Sequence, residues 1–475
     1  MDDWVAQELK SADLGDRRLE RRLVKMVGDL AAQPDATVPQ ACGDWAATQA
    51  TYDFWANPRV NAADILWAHQ SSTIERVQQE QVVLAVQDTT ELNFSHHPSK
   101  TGMGYLDHPY SRGLKVHSTF CVSASGVPLG LIHQQVWARD ITSLGKKHSR
   151  HKKETKEKES QRWIDAQVAT NSALPPETTV VTIADREADF YDFLATHRRD
   201  GAHQIIRAAH NRRVVDLQSQ STSDGRLQQV IRHRPPIGQL TIELHPHPHR
   251  EARSATMSIF VATVEIQPPT HRQSEPGLLP ITTQVILAEE ENPPLDVAPV
   301  SWLLLTTLPV DGLADALQYL RWYSYRWLIE RYHYVLKSGC GLERLQLETA
   351  DRLERALATY TIVAWRLLWL TYEQRLHPEA DAETVFLTHE WQALYCHIHA
   401  TPVPPPTAPT LKQCVRWIAQ LGGFLGRQGD GEPGVKTIWR GLQRLHDIST
   451  TWLLLYQSDI STVKANDVKK DVSKA

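Results

Sequence analysis

Apolar residues at helical spacing dominate the first part of the chain. Between Leu19 and Leu30 they recur every three or four positions, which predicts an amphipathic helix that begins after Asp16. The sequence predicts two further helices, over 45–55 and 62–76. We therefore expect a helical N-terminal domain over 1–72.

From residue 82 the pattern changes to short runs of consecutive apolar residues separated by helical segments. Such runs are typical of strands buried on both faces. Strands are predicted at 82–86, 178–184, 203–207 and 301–307, a hairpin at 116–123 and 127–137, and a helix from Gln161 onward. Over 208–300, alternating apolar and polar residues predict a β-rich insertion. We expect an α/β core over 73–372.

The last third of the chain returns to helical spacing. Long helices are predicted over 313–338 and 352–373, followed by a proline-rich crossing at 402–409 and a helical segment over 411–457. This predicts a helical C-terminal region over 373–475. The charge-dense run 146–159 predicts an exposed or mobile loop. The His-Pro repeat 245–249 could be a metal site, but proline at alternate positions favours an extended surface turn.

Charge and cysteine content narrow the class of protein. The 475 residues carry a formal net charge of −4, so any nucleic-acid binding must rest on local basic patches. The five cysteines form no CxxC pair, and no apolar run reaches the length of a membrane span. With no secretory pattern at the first residues, we expect a cytoplasmic protein with no membrane association.

One basic patch is visible in the first predicted helix, where four arginines interleave with its apolar residues. They are Arg17, Arg18, Arg21 and Arg22. A solvated helix face would show the same pattern. Arginines also neutralise DNA phosphates, so these four are the candidate DNA contacts of the N-terminal domain.

Two aspartates stand where predicted strands end. Asp88 follows the run 82–86, and Asp185 follows the run 178–184. Carboxylates at neighbouring strand ends repel each other unless a cation lies between them. Hard oxygen ligands of this kind suit magnesium or manganese. A single aspartate at a strand end is more often a turn residue, so the pair alone is weak evidence.

A polar face on the predicted helix 313–338 adds to this. At 100° per residue, five side chains fall within an arc of roughly 80°. They are Tyr323, Arg326, Glu330, His333 and Lys337. Such a face is suited to a polyanion, although a solvated face with an Arg326–Glu330 ion pair would look the same.

These residues carry a resemblance to a known family. Tyr323-x2-Arg326-x3-Glu330-x6-Lys337 resembles the Y-R-E-K signature of bacterial DDE transposases of the insertion-sequence-four family. The stretch 183–189 resembles the block with the second catalytic aspartate of that family, and Asp88-Thr89-Thr90 resembles the first. The chain is also similar end to end to the insertion-sequence-fifty type, on stretches such as 302–306 and 421–424.

The resemblance implies a ribonuclease-H-like core interrupted by the β insertion, an N-terminal domain that recognises transposon ends and a C-terminal region that dimerises. It implies that Asp88, Asp185 and Glu330 hold two Mg²⁺ ions, for which Mn²⁺ substitutes, in a cut-and-paste reaction with a hairpin intermediate. The partners would be double-stranded transposon ends and target DNA, bound by a homodimer in a synaptic complex.

The resemblance also implies DNA contacts near the acids. Phosphates would be held by Tyr323, Arg326, His333, Lys337 and Arg207. Trp302 occupies the family position that stacks on a flipped base, although a core aromatic residue in a strand is the alternative. Two other functions stay open: a catalytically inactive or domesticated DNA-binding protein, and a structure-specific nuclease on the same core.

Overall fold

The computed structural model describes residues 3–108, 110–143, 154–218, 225–244, 251–272, 275 and 277–472, with side chains to residue 455. The His-Pro repeat 245–249 and most of the charge-dense run 146–159 lie outside the described residues. Of that run, Thr155–Glu157 forms a 3₁₀ turn.

The chain divides into two compact units, each assembled from separate stretches. The first contains Met1–Ser72, Leu92–Leu114 and Arg331–Ala475, and the second contains Thr73–Glu91 and Lys115–Glu330. The predicted domain limits of 1–72, 73–372 and 373–475 follow the chain rather than this grouping, and they stay predictions.

The second unit is organised around a mixed sheet. The strands are β1 (Val82–Asn93), β2 (Gly104–Tyr105), β3 (Arg112–Ser123), β4 (Pro128–Trp137), β5 (Thr179–Ala184), β6 (Ala202–Arg207), β7 (Arg213–Asp216), β8 (Gly225–Arg226), β9 (Gly238–Leu244), β10 (Arg253–Ile266), β11 (Ile281–Glu290) and β12 (Ser301–Thr306). Among the described residues the order through this unit is β3-β1-β5-β6-β12-β11-β10-β7-β8, with β4 on β3 and β9 on β10.

Three parallel strands form the part of the sheet that carries the aspartates. β1 pairs with β5 from Val82↔Thr179 to Val86↔Ile183, and β5 pairs with β6. The residues of β1 from Val83 to Val86 are completely buried, as expected for apolar strands covered on both faces. The carboxyl ends of β1 and β5 therefore meet at the same edge.

The strands of the β-rich insertion continue this same sheet. β10 pairs antiparallel with β11, β11 with β12, and β12 with β6. Val264 and Val285 of the insertion belong to the same buried cluster as Ile206, Leu305 and Trp163. The insertion therefore shares the hydrophobic core of the strands that flank it.

The first unit is helical. Its N-terminal helices are α1 (Asp3–Glu8), α2 (Arg17–Ala32), α3 (Val38–Cys42) and α4 (Trp45–Ala56), followed by α5 (Ala62–Val77), which runs on into the second unit. As predicted, Asp16 begins α2, and its side chain accepts a hydrogen bond from the Arg18 N–H at 2.9 Å. The buried face of α2 contains Leu23, Met26 and Val27. The short strand β2 also belongs here and pairs with the start of β3.

The remaining helices come from both units. They are α6 (Gln161–Ala173), α7 (Tyr191–Ala195), α8 (Leu227–Arg232), α9 (Leu313–Ser324), α10 (Trp327–Tyr334), α11 (Ala350–Leu376), α12 (Thr388–His399), α13 (Leu411–Leu421) and α14 (Val435–Val472). In the first unit the mostly buried α11 packs against α2, α13 and α14. No helix of the described chain is long and apolar enough to cross a membrane.

Three predicted elements differ from the structure. The strand predicted at 82–86 continues to Asn93, so Asp88 lies inside a strand and not after its end. The helical segment predicted over 411–457 is two helices, separated between Leu421 and Val435. The single helix predicted over 313–338 is broken after Ser324 and ends in a π-helical turn over Val335–Gly339.

The break between α9 and α10 has a tertiary cause. The Tyr325 hydroxyl donates to the Ser125 carbonyl oxygen at 3.0 Å and accepts from the Arg321 Nε at 2.9 Å. Its ring lies against Gly126 in the turn between β3 and β4, where a Cβ would come within 3.0 Å of it. Gly126 also has φ +103°, which favours glycine. The backbone there uses i→i+3 hydrogen bonds, such as Leu328 N–H to Tyr325 O.

Candidate active site

Asp88 lies two residues beyond the segment in which β1 pairs with β5. Its Oδ1 accepts a hydrogen bond from the Thr89 N–H at 2.8 Å. The Thr89 hydroxyl in turn lies 2.9 Å from the His117 Nδ1. The carboxyl group of Asp88 is therefore fixed from the backbone of its own strand.

Asp185 follows directly after β5, as predicted. It caps the short 3₁₀ turn Arg186–Ala188, where its Oδ1 accepts from the Glu187 N–H at 2.8 Å. This is an Asx-type cap, the local role most common for an aspartate at a strand end. In both aspartates, therefore, a backbone N–H group holds one oxygen of the carboxylate.

Glu330 comes from the middle of α10. Its Oε1 lies 2.6 Å from the Arg326 Nη2, and the Arg326 side chain is only 13% exposed. Burial alone would lower the pKa of Arg326, but the Glu330 carboxylate more than offsets this, so the pKa is raised. This buried guanidinium therefore binds the glutamate firmly.

The three acids influence one another electrostatically. Burial raises the pKa of Asp88 to about 7, and the charges of Asp185 and Glu330 add to the rise, while Thr89 and Arg326 oppose it. A carboxyl group with such a pKa lies in a negative, poorly hydrated place that a cation would relieve. The structure thus brings together three acids that are separated by about 100 residues or more along the chain.

Whether the three carboxylates suit a divalent ion depends on the group that each of them already contacts. Among the described residues, no three His, Cys, Asp or Glu side chains converge closely enough to hold a metal ion as they stand. The donors themselves are hard oxygens, and burial, followed by the charges of Asp185 and Glu330, raises the pKa of Asp88. Asp88 and Asp185 therefore have the chemistry of ligands for a divalent ion, while the Glu330 carboxylate is paired with Arg326.

Positive and aromatic groups lie beside the acids in the same unit. Burial lowers the pKa of Arg207, and the nearby charges of Arg186 and Arg326 lower it further. The buried Tyr323 faces both Arg207 and Arg326. The half-buried Trp302 packs edge-on against the Tyr323 ring, with centroids 5.5 Å apart. This crowding of arginines favours an anion such as a phosphate.

Two residues of the predicted polar face lie in the first unit. His333 is only 5% exposed, and burial, with the charge of Lys337, lowers its pKa to about 3. In this structure His333 is therefore a buried, neutral imidazole, and its role as a DNA contact stays a prediction. Lys337 is partly exposed, and its Nζ lies 3.6 Å from Glu343.

The four N-terminal arginines lie on the outer face of α2. Arg17, Arg18 and Arg21 are exposed and Arg22 is partly so. Their placement leaves both a solvated face and a DNA contact possible in chemical terms.

Three transposase families match parts of this chain. Residues 1–60 match the transposase DNA-binding family, residues 156–366 match the transposase DDE domain, and residues 362–451 match the transposase Tn5 dimerisation domain. The chain is a DNA-binding DDE transposase of the Tn5 type. A DDE domain implies catalysis with divalent metal ions.

The matched ranges bear on the residues of this transposase. The DDE match contains Asp185 and Glu330 but begins after Asp88. The assignment of Asp88 to the candidate site therefore depends on its position near Asp185 and Glu330. The DNA-binding match contains all four N-terminal arginines. The ranges 1–60 and 362–451 also indicate DNA binding and self-association.

The sequence analysis of the transposase missed three polar residues next to the aspartates. Thr89 and Glu187 were part of the quoted motifs, but nothing in those motifs gave them a role. Arg162, in the first turn of α6, bonds to both of them. No periodicity could have identified Arg162, because its partners lie 73 and 25 residues away.

Proposed function

We propose that this transposase moves its own element by a cut-and-paste route. It would bind the terminal inverted repeats, cleave the DNA through a hairpin intermediate and join the 3′ ends to target DNA. The match of residues 156–366 to the transposase DDE domain supports this most directly, together with the buried Arg326 beside a site that contains Asp88, Asp185 and Glu330. Phosphoryl transfer needs such a site, with acids for metal ions and cations for phosphates.

In this proposal Asp88, Asp185 and Glu330 hold two Mg²⁺ ions, and Mn²⁺ substitutes for them. The ions supply the charge that activates the attacking hydroxyl and stabilises the leaving oxygen. Glu330 would serve as the third ligand, and Arg326, which now pairs with it, would contact a phosphate. Arg207, Tyr323 and Lys337 would also bind phosphates of the DNA strand that is cleaved. Trp302 would stack on a flipped DNA base.

DNA recognition and assembly are assigned to the other regions. The arginines of α2 bind the backbone of the transposon end, within an N-terminal domain over 1–72. A region over 373–475 joins two copies into a synaptic homodimer around the core over 73–372. The likeness to the insertion-sequence-fifty type supports this arrangement.

The test uses the full-length protein, Mg²⁺ and DNA that carries the terminal repeats flanking its gene. We expect nicking, then hairpin formation, then joining of the 3′ ends to a target plasmid. Binding of the repeats without cleavage in Mg²⁺ or Mn²⁺ would instead identify an inactive end-binding protein. Cleavage without joining, when precleaved ends are supplied, would identify a structure-specific nuclease.

A further inference from the structure

The start of α6 is anchored in the core of the second unit. Trp163 is 1% exposed, and its ring packs edge-on against His117 at 4.7 Å and Phe193 at 6.3 Å. A helix whose first turn carries such a buried aromatic residue has little freedom to shift. The preceding residue, Arg162, therefore projects from a fixed point.

The Arg162 side chain is held in one orientation. Only 11% of it is exposed, and its guanidinium carbon lies 5.7 Å from the Trp137 ring centroid and 5.5 Å from that of Trp163. Its Nη1 donates to the Glu159 carbonyl oxygen at 2.8 Å. Aromatic contacts and a planar fork together restrict where its other N–H groups point.

Those other N–H groups reach two separate turns. The Nε donates to the Thr89 Oγ1 at 2.9 Å, and the Nη2 donates to the Glu187 Oε2 at 2.7 Å. The backbone N–H of Thr89 is the group that holds Asp88, and the backbone N–H of Glu187 is the group that holds Asp185. One arginine thus bonds to both residues that hold the aspartates.

We propose that Arg162 is a positioning residue that keeps the Asp88 and Asp185 carboxylates in one arrangement by bonding to Thr89 and Glu187 together. This inference rests on the proposed function, in which both aspartates are metal ligands. In this role Arg162 bonds to the residues that follow the aspartates in the chain. It acts through the side chains whose amides orient the ligands, as outer-shell partners do at metal sites.

The exposure of Glu187 indicates that its ion pair with Arg162 contributes to positioning rather than to global stability. The Glu187 side chain is 63% exposed, so water screens its ion pair with Arg162 and the pair contributes little to the stability of the fold. The loss of Arg162 should therefore appear mainly in the mobility of the two turns and in metal affinity.

The first measurement needs neither metal nor DNA. Hydrogen–deuterium exchange of the Thr89 and Glu187 amides is compared between wild type and Arg162→Gln. We expect faster exchange at both amides in the variant, because the side chains that steady each turn lose their shared donor. Arg232→Gln is the matched control, since Arg232 makes a two-bond pair with Glu289 in the insertion.

The second measurement is the Mn²⁺ dissociation constant of the full-length protein, read from the electron paramagnetic resonance signal of free Mn²⁺. Arg162→Gln should weaken binding by about 10- to 100-fold, the range found for outer-shell changes. Thr89→Val and Glu187→Ala should each weaken it less. Thr89→Ser and Glu187→Gln keep an acceptor oxygen and should bind like wild type.

The outcomes separate the two proposals. Unchanged amide exchange in Arg162→Gln would overturn the positioning role, and so would conservative variants as impaired as Thr89→Val and Glu187→Ala. If Arg162→Gln fails to fold, the Thr89 and Glu187 pairs of variants decide the matter. A wild-type protein without metal-dependent cleavage would refute the proposed function, while the exchange result would still decide whether Arg162 steadies both turns.

Discussion

The aspartate side and the glutamate side of the active site are built in different ways. Asp88 lies in β1, Asp185 directly follows the neighbouring parallel strand β5, and a backbone amide holds one oxygen of each. Glu330 lies on a helix that follows a break, and the buried Arg326 holds its carboxylate.

This difference indicates which side is ready to receive metal. Backbone amides orient the aspartates without removing their charge, so that side is preorganised. Glu330 is instead paired with the Arg326 guanidinium, and in the proposed function it would have to leave that partner to bind a cation. Two carboxylates would thus define the site first, and the third would join later.

The largest expected effect comes from removing any one acid. Asp88→Asn, Asp185→Asn and Glu330→Gln should each reduce cleavage of the terminal repeats by about 10²–10³-fold or more, the scale for loss of a group that stabilises transition-state charge. Mobility-shift binding of the ends, the control, should stay close to wild type. Robust cleavage by any of these variants would rule out that residue as catalytic.

A smaller effect is expected from Arg326→Gln, which tests the glutamate side alone. Cleavage should fall by about 10- to 100-fold, as for other residues beside metal ligands, because a phosphate contact is lost. Mn²⁺ affinity should not fall with it, because Glu330 is released from its competitor. A parallel loss of affinity would show instead that Arg326 positions Glu330 for the metal. Arg326→Lys, which keeps the charge without the fork, is the matched variant.

The raised pKa of Asp88 predicts a pH dependence on the aspartate side. In metal-free protein the Asp88 carboxyl group, with a pKa of about 7, is largely protonated below that pH. Mn²⁺ competes with this proton, so its affinity should fall by roughly tenfold per pH unit below about pH 7 and level off above it. Titrations at pH 6 and pH 8 measure this.

The same pKa shift has a consequence for stability without metal. The folded state binds the Asp88 proton more tightly than the unfolded state, so this group's contribution is lost as the pH rises from 3.8 toward 7. Asp88→Asn should remove that loss in denaturant titrations. A Mn²⁺ affinity that is the same at pH 6 and pH 8 would contradict the shift.

The smallest effect on activity is expected from His333, in the first unit. Because its pKa is lowered to about 3, the unfolded state binds its proton more readily, and stability should fall as the pH drops from 6.5 toward 3. His333→Gln should reduce this acid sensitivity and leave cleavage near wild type. Lys337→Gln, on the same stretch, should weaken DNA binding. A selective loss of DNA binding in His333→Gln would instead identify His333 as a DNA contact.

Much of the fold was predictable because the spacing of apolar residues indicates which faces of a helix or strand are buried. The strand ending before Asp185 follows from a run of consecutive apolar residues, and the apolar face of α2 follows from a period of 3.6 residues. The hairpin over β3 and β4 was also predicted. The continuation of β1 past Asp88 was missed, since polar residues there still pair in the sheet.

The candidate site was predictable in its residue types and only partly in its geometry. Asp88, Asp185 and Glu330 were identified from strand ends, a helix face and a family resemblance. The burial of His333 was not, because a histidine at helical spacing looks the same whether it faces water or the core.

What the sequence by itself determined is local: where strands and helices form, which acids follow them, and the membership of the chain in a family of DDE transposases. The tertiary structure alone decided that Tyr325 bonds to Ser125 and breaks the helix before Glu330. It also decided that Arg162 reaches Thr89 and Glu187. Such contacts join residues far apart in the chain, and sheet register and core packing set them, which no local period encodes.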